Sequence, residues 1–359
     1  MGNGLMAQPT VRQLAAAHPQ AELRVFARNG SIAGVFDRLP EVASVEVFGN
    51  EARQFGRLLQ AIRRFRADLC VIPYPSNRWQ YSLLARACGA RRTIVHRYRV
   101  GRRRSPGRSV ETVEAVLGRH DVLSNLDLLR PLGTEPDETM RPAFPLDAEE
   151  VARARLRVED PQLSGLDKSL VAQEVAAGPR PAVGAVGICA IHAGSGNTIF
   201  ALSKRWPPEQ WAALLPRLRD ELNVAPILLE GPEDAGVGEL IRSHVEVPVL
   251  QLAGPLAEAA AVLAACDLYV GSDSGLAHLA AAVGTPPVTL FGPARPDEVC
   301  PFGYRDLVVQ TPAACAPCFL YPQESTSPRV ACRPPYCIGQ IAPDRVLDAA
   351  RLALEQPAS

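Results

Sequence analysis

Asp273, Ser274 and His278 gather where a short apolar run, Leu268 to Val270, gives way to a helix of small residues, Leu276 to Val283. Aspartate and serine at that point are helix-capping types, and Gly275 lets the backbone approach a ligand closely. A strand that feeds directly into a helix start presents free N–H groups and the positive end of the helix dipole, which suits an anion. The same residues also suit an ordinary βαβ unit with a good N-cap and a core histidine. A second polar constellation lies upstream. Val186 to His192 is a buried-strand pattern that runs into Ala193-Gly-Ser-Gly-Asn197, so Gly194 and Ser195 sit in a loop able to wrap a phosphate with backbone N–H groups. Lys204 stands just before a helix start marked by Pro207 and Pro208, where its ammonium can meet a phosphate or simply face water. Glu233 follows the strand Pro226 to Leu229, at the edge where open α/β sheets bind ligands, and is suited to accept from ribose hydroxyls; an exposed turn acid reads the same way.

Two further groups of residues have chemistry of their own. Between Arg91 and Arg108 there are eight arginines and no acid, including Arg97, Arg99, Arg102 and Arg103. This run reads either as a solvated loop or as a landing patch for an anionic acceptor or an acidic membrane surface. Cys315-x-x-Cys318 and Cys332-x4-Cys337 lie in a proline-rich stretch. Four thiolates would hold a structural zinc; a disulfide or unlinked buried thiols are the alternatives.

The elements that position these residues alternate between strand and helix along most of the chain. In the first half the pattern gives a helix over 5–17, strands over 21–27 and 42–48, a helix over 53–65, a strand over 68–72, a helix over 79–88 and a strand over 93–95. A helical region is expected from Ser109 to Leu117 and onward through His120 to Gly133. A Gly-rich turn leading into a helix is ordinarily preceded by a strand, and none precedes Gly2, so the first strand of this domain is expected to be absent. In the second half, strands at 186–192, 226–229, 247–252, 268–270 and 288–291 alternate with helices, and Pro343 to Leu354 forms a final amphipathic helix. The fold class is therefore α/β with doubly wound sheets. The domain plan is 1–145, a linker or insertion over 146–185, a second domain over 186–340 and a terminal helix over 341–359.

A chain of 359 residues with net charge +0 has enough apolar content for two cores. Charge balance argues against a protein devoted to nucleic acid. No apolar run is long enough to span a bilayer, and Met1-Gly-Asn-Gly-Leu-Met lacks signal-peptide features, so a cytoplasmic location is expected.

Taken in order, these motifs resemble glycosyltransferase family nine, the bacterial heptosyltransferases of lipopolysaccharide core assembly. Gly2-x-x-Leu-Met-x-x-Pro9 is similar to its N-terminal turn, and His120-x-x-x-x-Asn-Leu-Asp-Leu-Leu129 to its interdomain helix. His192-Ala-Gly-Ser195, Lys204-x-Trp-Pro207, Gly231-Pro-Glu233 and Ser272-Asp-Ser-Gly-Leu-Ala-His278 are similar to its donor segments. The resemblance implies a GT-B fold, two Rossmann-like domains facing a cleft. It implies an ADP-heptose-like nucleotide sugar on the C-terminal domain and an anionic lipid-linked saccharide acceptor on the N-terminal domain, with peripheral contact at the cytoplasmic face of the inner membrane. By the same resemblance transfer proceeds with inversion and needs no metal. Lys204 neutralises the leaving diphosphate, Ser195, Ser274 and Gly275 hold phosphate oxygens, and Asp273 and His278 order the donor turn. The family's usual catalytic base, an aspartate after the first glycine, is replaced by Asn3, whose neutral amide cannot take a proton. Two alternatives stay in view: a transferase that uses another nucleotide sugar, and, because of Asn3 and the missing first strand, a nucleotide-sugar-binding protein with weak or no transfer.

Overall fold

A computed structural model describes residues 1–49, 52–98, 110–160, 186–196, 199–234, 236–319 and 337–356. The chain divides into two compact units, one built on Met1–Pro142 with Asp297–Val299, the other on Ala143–Pro296 with Cys300–Phe319 and the C-terminal helix.

The first unit opens on helix α1 (Gly2–Ala17), followed by β1 (Arg24–Ala27), α2 (Gly30–Phe36), β2 (Ser44–Val47), α3 (Ala52–Phe65), β3 (Leu69–Ile72), α4 (Trp79–Ala87), β4 (Arg92–Arg97), β5 (Val110–Glu114) and α5 (Asp121–Leu126). Its strands form a parallel pair, β1–β2, and a parallel trio, β3–β4–β5. Helix α2 was not expected from the sequence. Its start is fixed by Asn29, whose side chain accepts from the Ile32 amide at 2.9 Å. The expected helix over 109–117 is corrected: Val110–Glu114 is a strand, aligned with β4 from Thr93 to Arg97. Val110, Thr112 and Val113 are β-branched and fit a pleated surface. Arg92 on β4 grips Glu111 on β5 with two hydrogen bonds of 2.8 and 2.9 Å. Behind the trio, the Asn125 side chain ties three elements together. Its amide donates to the carbonyls of Asp121 (2.8 Å) and Met6 (3.4 Å), and its oxygen accepts from the Tyr74 amide (2.8 Å).

The second unit begins with α6 (Ala148–Val158), closed at its start by a reciprocal capping box between Asp147 and Glu150. This helix falls in the stretch expected as a linker or insertion over 146–185, of which 161–185 lie outside the described residues. Then come β6 (Gly187–His192), α7 (Pro208–Leu222), β7 (Val224–Glu230), α8 (Val237–Arg242), β8 (Val249–Gln251), α9 (Leu256–Ala264), β9 (Leu268–Ser272), α10 (Gly275–Ala282), β10 (Pro287–Phe291), β11 (Val308–Gln310) and α11 (Pro343–Glu355). All six strands are parallel, in the order β11-β10-β9-β6-β7-β8. Every residue of β6, β7, β9 and β10 is buried, as expected for strands covered on both faces. Trp211, Leu214, Leu215 and Leu218 of α7 and Val346, Leu347, Ala350 and Ala353 of α11 belong to the same core. Trp206 and Trp211 meet edge to face at 5.0 Å within it, and the Trp206 ring N–H donates to the Ile341 carbonyl at 3.1 Å. From β6 the chain winds outward through β7 and β8 on one side, then returns to β9, β10 and β11 on the other. The direction therefore reverses between β6 and β9, and the loops leaving their C-terminal ends flank a natural ligand crevice.

Candidate functional site

The two loops at that reversal carry the residues singled out from sequence. Strand β6 delivers His192, then Ala193–Gly196. Gly194 lies directly against the Asp234 carboxylate: a Cβ there would stand 1.9 Å from Oδ1, so any larger residue must displace that side chain. Gly196 turns the chain with φ of +85°, and its carbonyl accepts from Arg205 at 2.9 Å. Asp234 itself ends the short turn Pro232–Asp234 that follows β7.

Strand β9 delivers Asp273 and Ser274. Buried Asp273 pairs with Lys204 at 2.6 Å, and the Lys204 ammonium also donates to the Asp273 carbonyl at 3.3 Å. That ammonium stands 4.5 Å from the centre of the Phe200 ring, which stacks on Phe319 at 3.8 Å. Ser274 is the N-cap of α10 by position, yet its side chain makes no capping bond. Its hydroxyl is instead 3.1 Å from His192 Nδ1 and 3.3 Å from the Tyr269 hydroxyl. His192 Nε2 lies 3.0 Å from Asp234 Oδ2. Burial pushes the Asp234 carboxyl upward, but the bond and charge of His192, with the Gly196 and Gly231 amides, more than offset it and hold the group below the usual range. Burial raises the Tyr269 phenol.

The structure thus brings together Gly194, Lys204, Asp273, Ser274 and Gly275 at one end of one sheet. The Ser195 hydroxyl donates to the Ala201 carbonyl. Glu233 is exposed, with its carboxylate beside Gly196. His278 is buried in α10. In the first unit, Asn3 is exposed in the first turn of α1, and Arg97 is exposed at the end of β4. Arg99, Arg102 and Arg103 lie outside the described residues, as does Cys332. Of its companions, Cys315 is exposed, Cys318 half-buried and Cys337 buried. Among the described residues, no three or more His, Cys, Asp or Glu side chains are grouped to hold a metal ion.

Sequence reasoning passed over Asp234 in favour of its neighbour Glu233 and gave His192 and Tyr269 no role. The sequence signal for Asp234 was weak: two acids in one turn after a strand, with only the backbone deciding which one turns inward. For His192 the signal was stronger, a histidine closing an apolar strand before a Gly-rich loop.

Chemically, the site offers a cation held by a buried carboxylate, a helix start with no side-chain cap and a hydrogen-bonded serine. That set suits a phosphate or diphosphate. A family profile described as glycosyltransferase family 9 (heptosyltransferase) matches residues 55–327, more than half of the chain. The chain belongs to glycosyltransferase family 9. It is similar to lipooligosaccharide heptosyltransferase 2 of Haemophilus influenzae, 31% identical over 166 residues, covering 45% of each chain. With Escherichia coli lipopolysaccharide heptosyltransferase 3 it shares 25% identity over 303 residues, 81% of this chain and 80% of that one. The matched stretch spans less than half the length of the first of these family 9 relatives. Among solved structures, that of E. coli ADP-heptose lps heptosyltransferase II matches at a TM-score of 0.70 and 22% identity, over 98% of this chain and 95% of that one. The fold is therefore GT-B, with two Rossmann-like α/β units. No helix among the described residues is long and apolar enough to cross a membrane.

Proposed function

We propose that this chain transfers a heptosyl group from ADP-heptose to a saccharide of the lipopolysaccharide core, with inversion, and that the second unit binds the donor. The observation that carries the reading is the Lys204–Asp273 pair beside the uncapped start of α10. The names of the relatives, lipopolysaccharide and lipooligosaccharide heptosyltransferases, support the sugar and the acceptor class. The name of the similar solved structure supports the ADP-linked donor.

In this reading the sugar–phosphate bond breaks as negative charge builds on the leaving diphosphate. Lys204 supplies the positive charge that a metal would otherwise bring, and the Gly275 amide and Ser274 hydroxyl donate to phosphate oxygens. Asp273 aims the lysine. Ser195 exchanges its bond to Ala201 for one to the ligand, and Glu233 and His278 frame the nucleoside and the turn. The acceptor, an anionic lipid-linked saccharide, docks on the first unit, where Arg97 belongs to the arginine run, at the cytoplasmic surface of the membrane.

The test is calorimetric binding of ADP-heptose against other nucleotide sugars, with Lys204→Ala as the variant. Selective ADP-heptose binding that weakens about 10- to 150-fold in Lys204→Ala is expected, the scale of losing a hydrogen bond from a charged group. Equal affinity for wild type and variant would refute the role of Lys204. Preference for another nucleotide sugar would move the assignment to that donor.

A second reading is favoured by Asn3. The first turn of α1 carries no acid, so a base for the acceptor hydroxyl is not available there, and a donor-binding protein with weak transfer fits equally well at that end.

A further inference from the structure

We infer that the second unit takes up a proton when it binds a diphosphate diester, with His192 as the acceptor and Ser274 as the hydroxyl that the protonation turns from an inward to an outward donor. The inference rests on the donor-site reading above and adds a proton to it.

Hydrogen-bond bookkeeping leads there. Asp234 is ionised and can only accept, so His192 Nε2 must carry a hydrogen toward it across 3.0 Å. In the neutral imidazole, Nδ1 is then a bare lone pair. Among the described residues its hydrogen-bond partner is the Ser274 hydroxyl, 3.1 Å away, which then points its proton inward. The Tyr269 hydroxyl, 3.3 Å away and fully buried, completes the serine as its donor. Ser274 in this state has no proton left for a phosphate, although it stands at the start of α10.

Protonation reverses the chain of donors. With a hydrogen on Nδ1, His192 donates to Ser274 Oγ, and the serine proton is released toward the ligand. The charges favour this on binding. Around the end of β6 the charged side chains are Asp234 from the turn after β7, Glu233 beside it against Gly196, Asp273 from β9, Lys204 before α7 and Arg205, which donates to the Gly196 carbonyl: two cations against three anions. Tyr269 on β9 is neutral, Glu233 is exposed beside Gly196, and His278 lies one turn into α10. A diphosphate diester adds two more negative charges beside a histidine whose side chain is 5% exposed. An imidazolium held between Asp234 and the diphosphate answers that excess, as an opposite charge does for any histidine nearby.

The order serine, histidine, aspartate also matches that of a nucleophilic triad. Here the serine is held by the tyrosine as well, and its place at the head of a helix suits binding of an anion rather than attack on it. Hydrolysis without acceptor separates the two.

The experiment is calorimetry of ADP-heptose binding to the whole chain in HEPES and in Tris buffers, whose ionisation enthalpies differ, from pH 7 to 9. The diester has no titration in this range, so every proton counted belongs to the protein. Uptake should approach about one proton near pH 8, and Kd should rise up to about tenfold per pH unit there. Asp234→Asn and His192→Gln should each bring the count toward zero while weaker binding remains. Binding that is independent of buffer and pH would overturn the inference and leave the donor site standing. Absence of any ADP-heptose binding would overturn both. Uptake that survives His192→Gln but vanishes in Lys204→Ala would assign the proton elsewhere and refute the inference. Acceptor-free hydrolysis lost in Ser274→Ala would refute it too, in favour of a nucleophile.

Discussion

Gly194→Ala is the smallest change that should dismantle the site. The added methyl would lie 1.9 Å from Asp234 Oδ1, 2.2 Å from its Cγ and 2.9 Å from its Cβ, whereas real Cβ contacts begin near 3.0 Å. The carboxylate must retreat by about 1 Å, which stretches its 3.0 Å bond to His192 beyond hydrogen-bonding range. Losing a buried hydrogen bond to a charged group costs about 1.5–3 kcal/mol, and forcing a methyl into a packed position about 1–3 kcal/mol. A destabilisation of roughly 3–5 kcal/mol follows for the second unit. Urea unfolding followed by tryptophan fluorescence measures it, because Trp206 and Trp211 are buried in that unit whereas Trp79 is 66% exposed in the other. The decisive control is Asp234→Gly, which removes every atom the methyl strikes. In that background Gly194→Ala should cost less than about 1 kcal/mol, giving a coupling of about 2–4 kcal/mol between neighbouring sites. Equal costs in the two backgrounds would show that the contact between Gly194 and Asp234 is not what forbids a side chain there.

Two further outcomes are expected, both in the first unit. Burial holds the His96 pKa down to about 4, only partly opposed by its 2.8 Å bond to the Ser124 carbonyl and by Asp127. Above about pH 6.5 the imidazole is neutral in both folded and unfolded chains; between 6.5 and 4 only the unfolded chain takes the proton, so stability falls by up to about 3 kcal/mol as pH drops. The difference in urea stability between wild type and His96→Gln should therefore shrink with falling pH across that window, and a constant difference would refute the assignment. Asn3→Asp restores a carboxylate to the first turn of α1; if a base acts there, sugar transfer should rise by about 100-fold or more, the usual range of general-base assistance. An unchanged transfer rate with intact donor binding would show that Asn3 does not stand at the reacting hydroxyl.

The parts legible in the sequence were those where local residue types leave the chain little choice. The run from Leu268 to Phe291 gave strand, turn, helix and strand because small apolar residues, a capping serine and the Gly284, Pro286 and Pro287 stop agree with one another. Val110–Glu114 failed because its state is decided by β4, an edge that a local pattern does not contain. Helix α2 is only seven residues long and too short for a periodicity to show. Within the site, Lys204, Asp273 and Ser274 could be placed by their position beside predicted elements. Asp234 could not, since its importance comes from the missing side chain of Gly194, forty residues away. The diversion of Ser274 from its capping role likewise depends on His192, which reaches it only through the pairing of β6 with β9, joined by Tyr269 from five residues earlier, on β9 itself.

The spacing of the site along the chain also sets when it can exist during synthesis. His192 and Ser274 are 82 residues apart in sequence and become neighbours only when β9 has paired with β6. A growing chain that has just released Lys204 from the ribosome has the cation but not the carboxylate that aims it. On the proposed reading, the Lys204–Asp273 pair that meets the nucleotide forms only after the strand ending at Ser272 has emerged and docked. On that reading, ligand in the cell would act on the finished second unit, lengthening its lifetime by mass action.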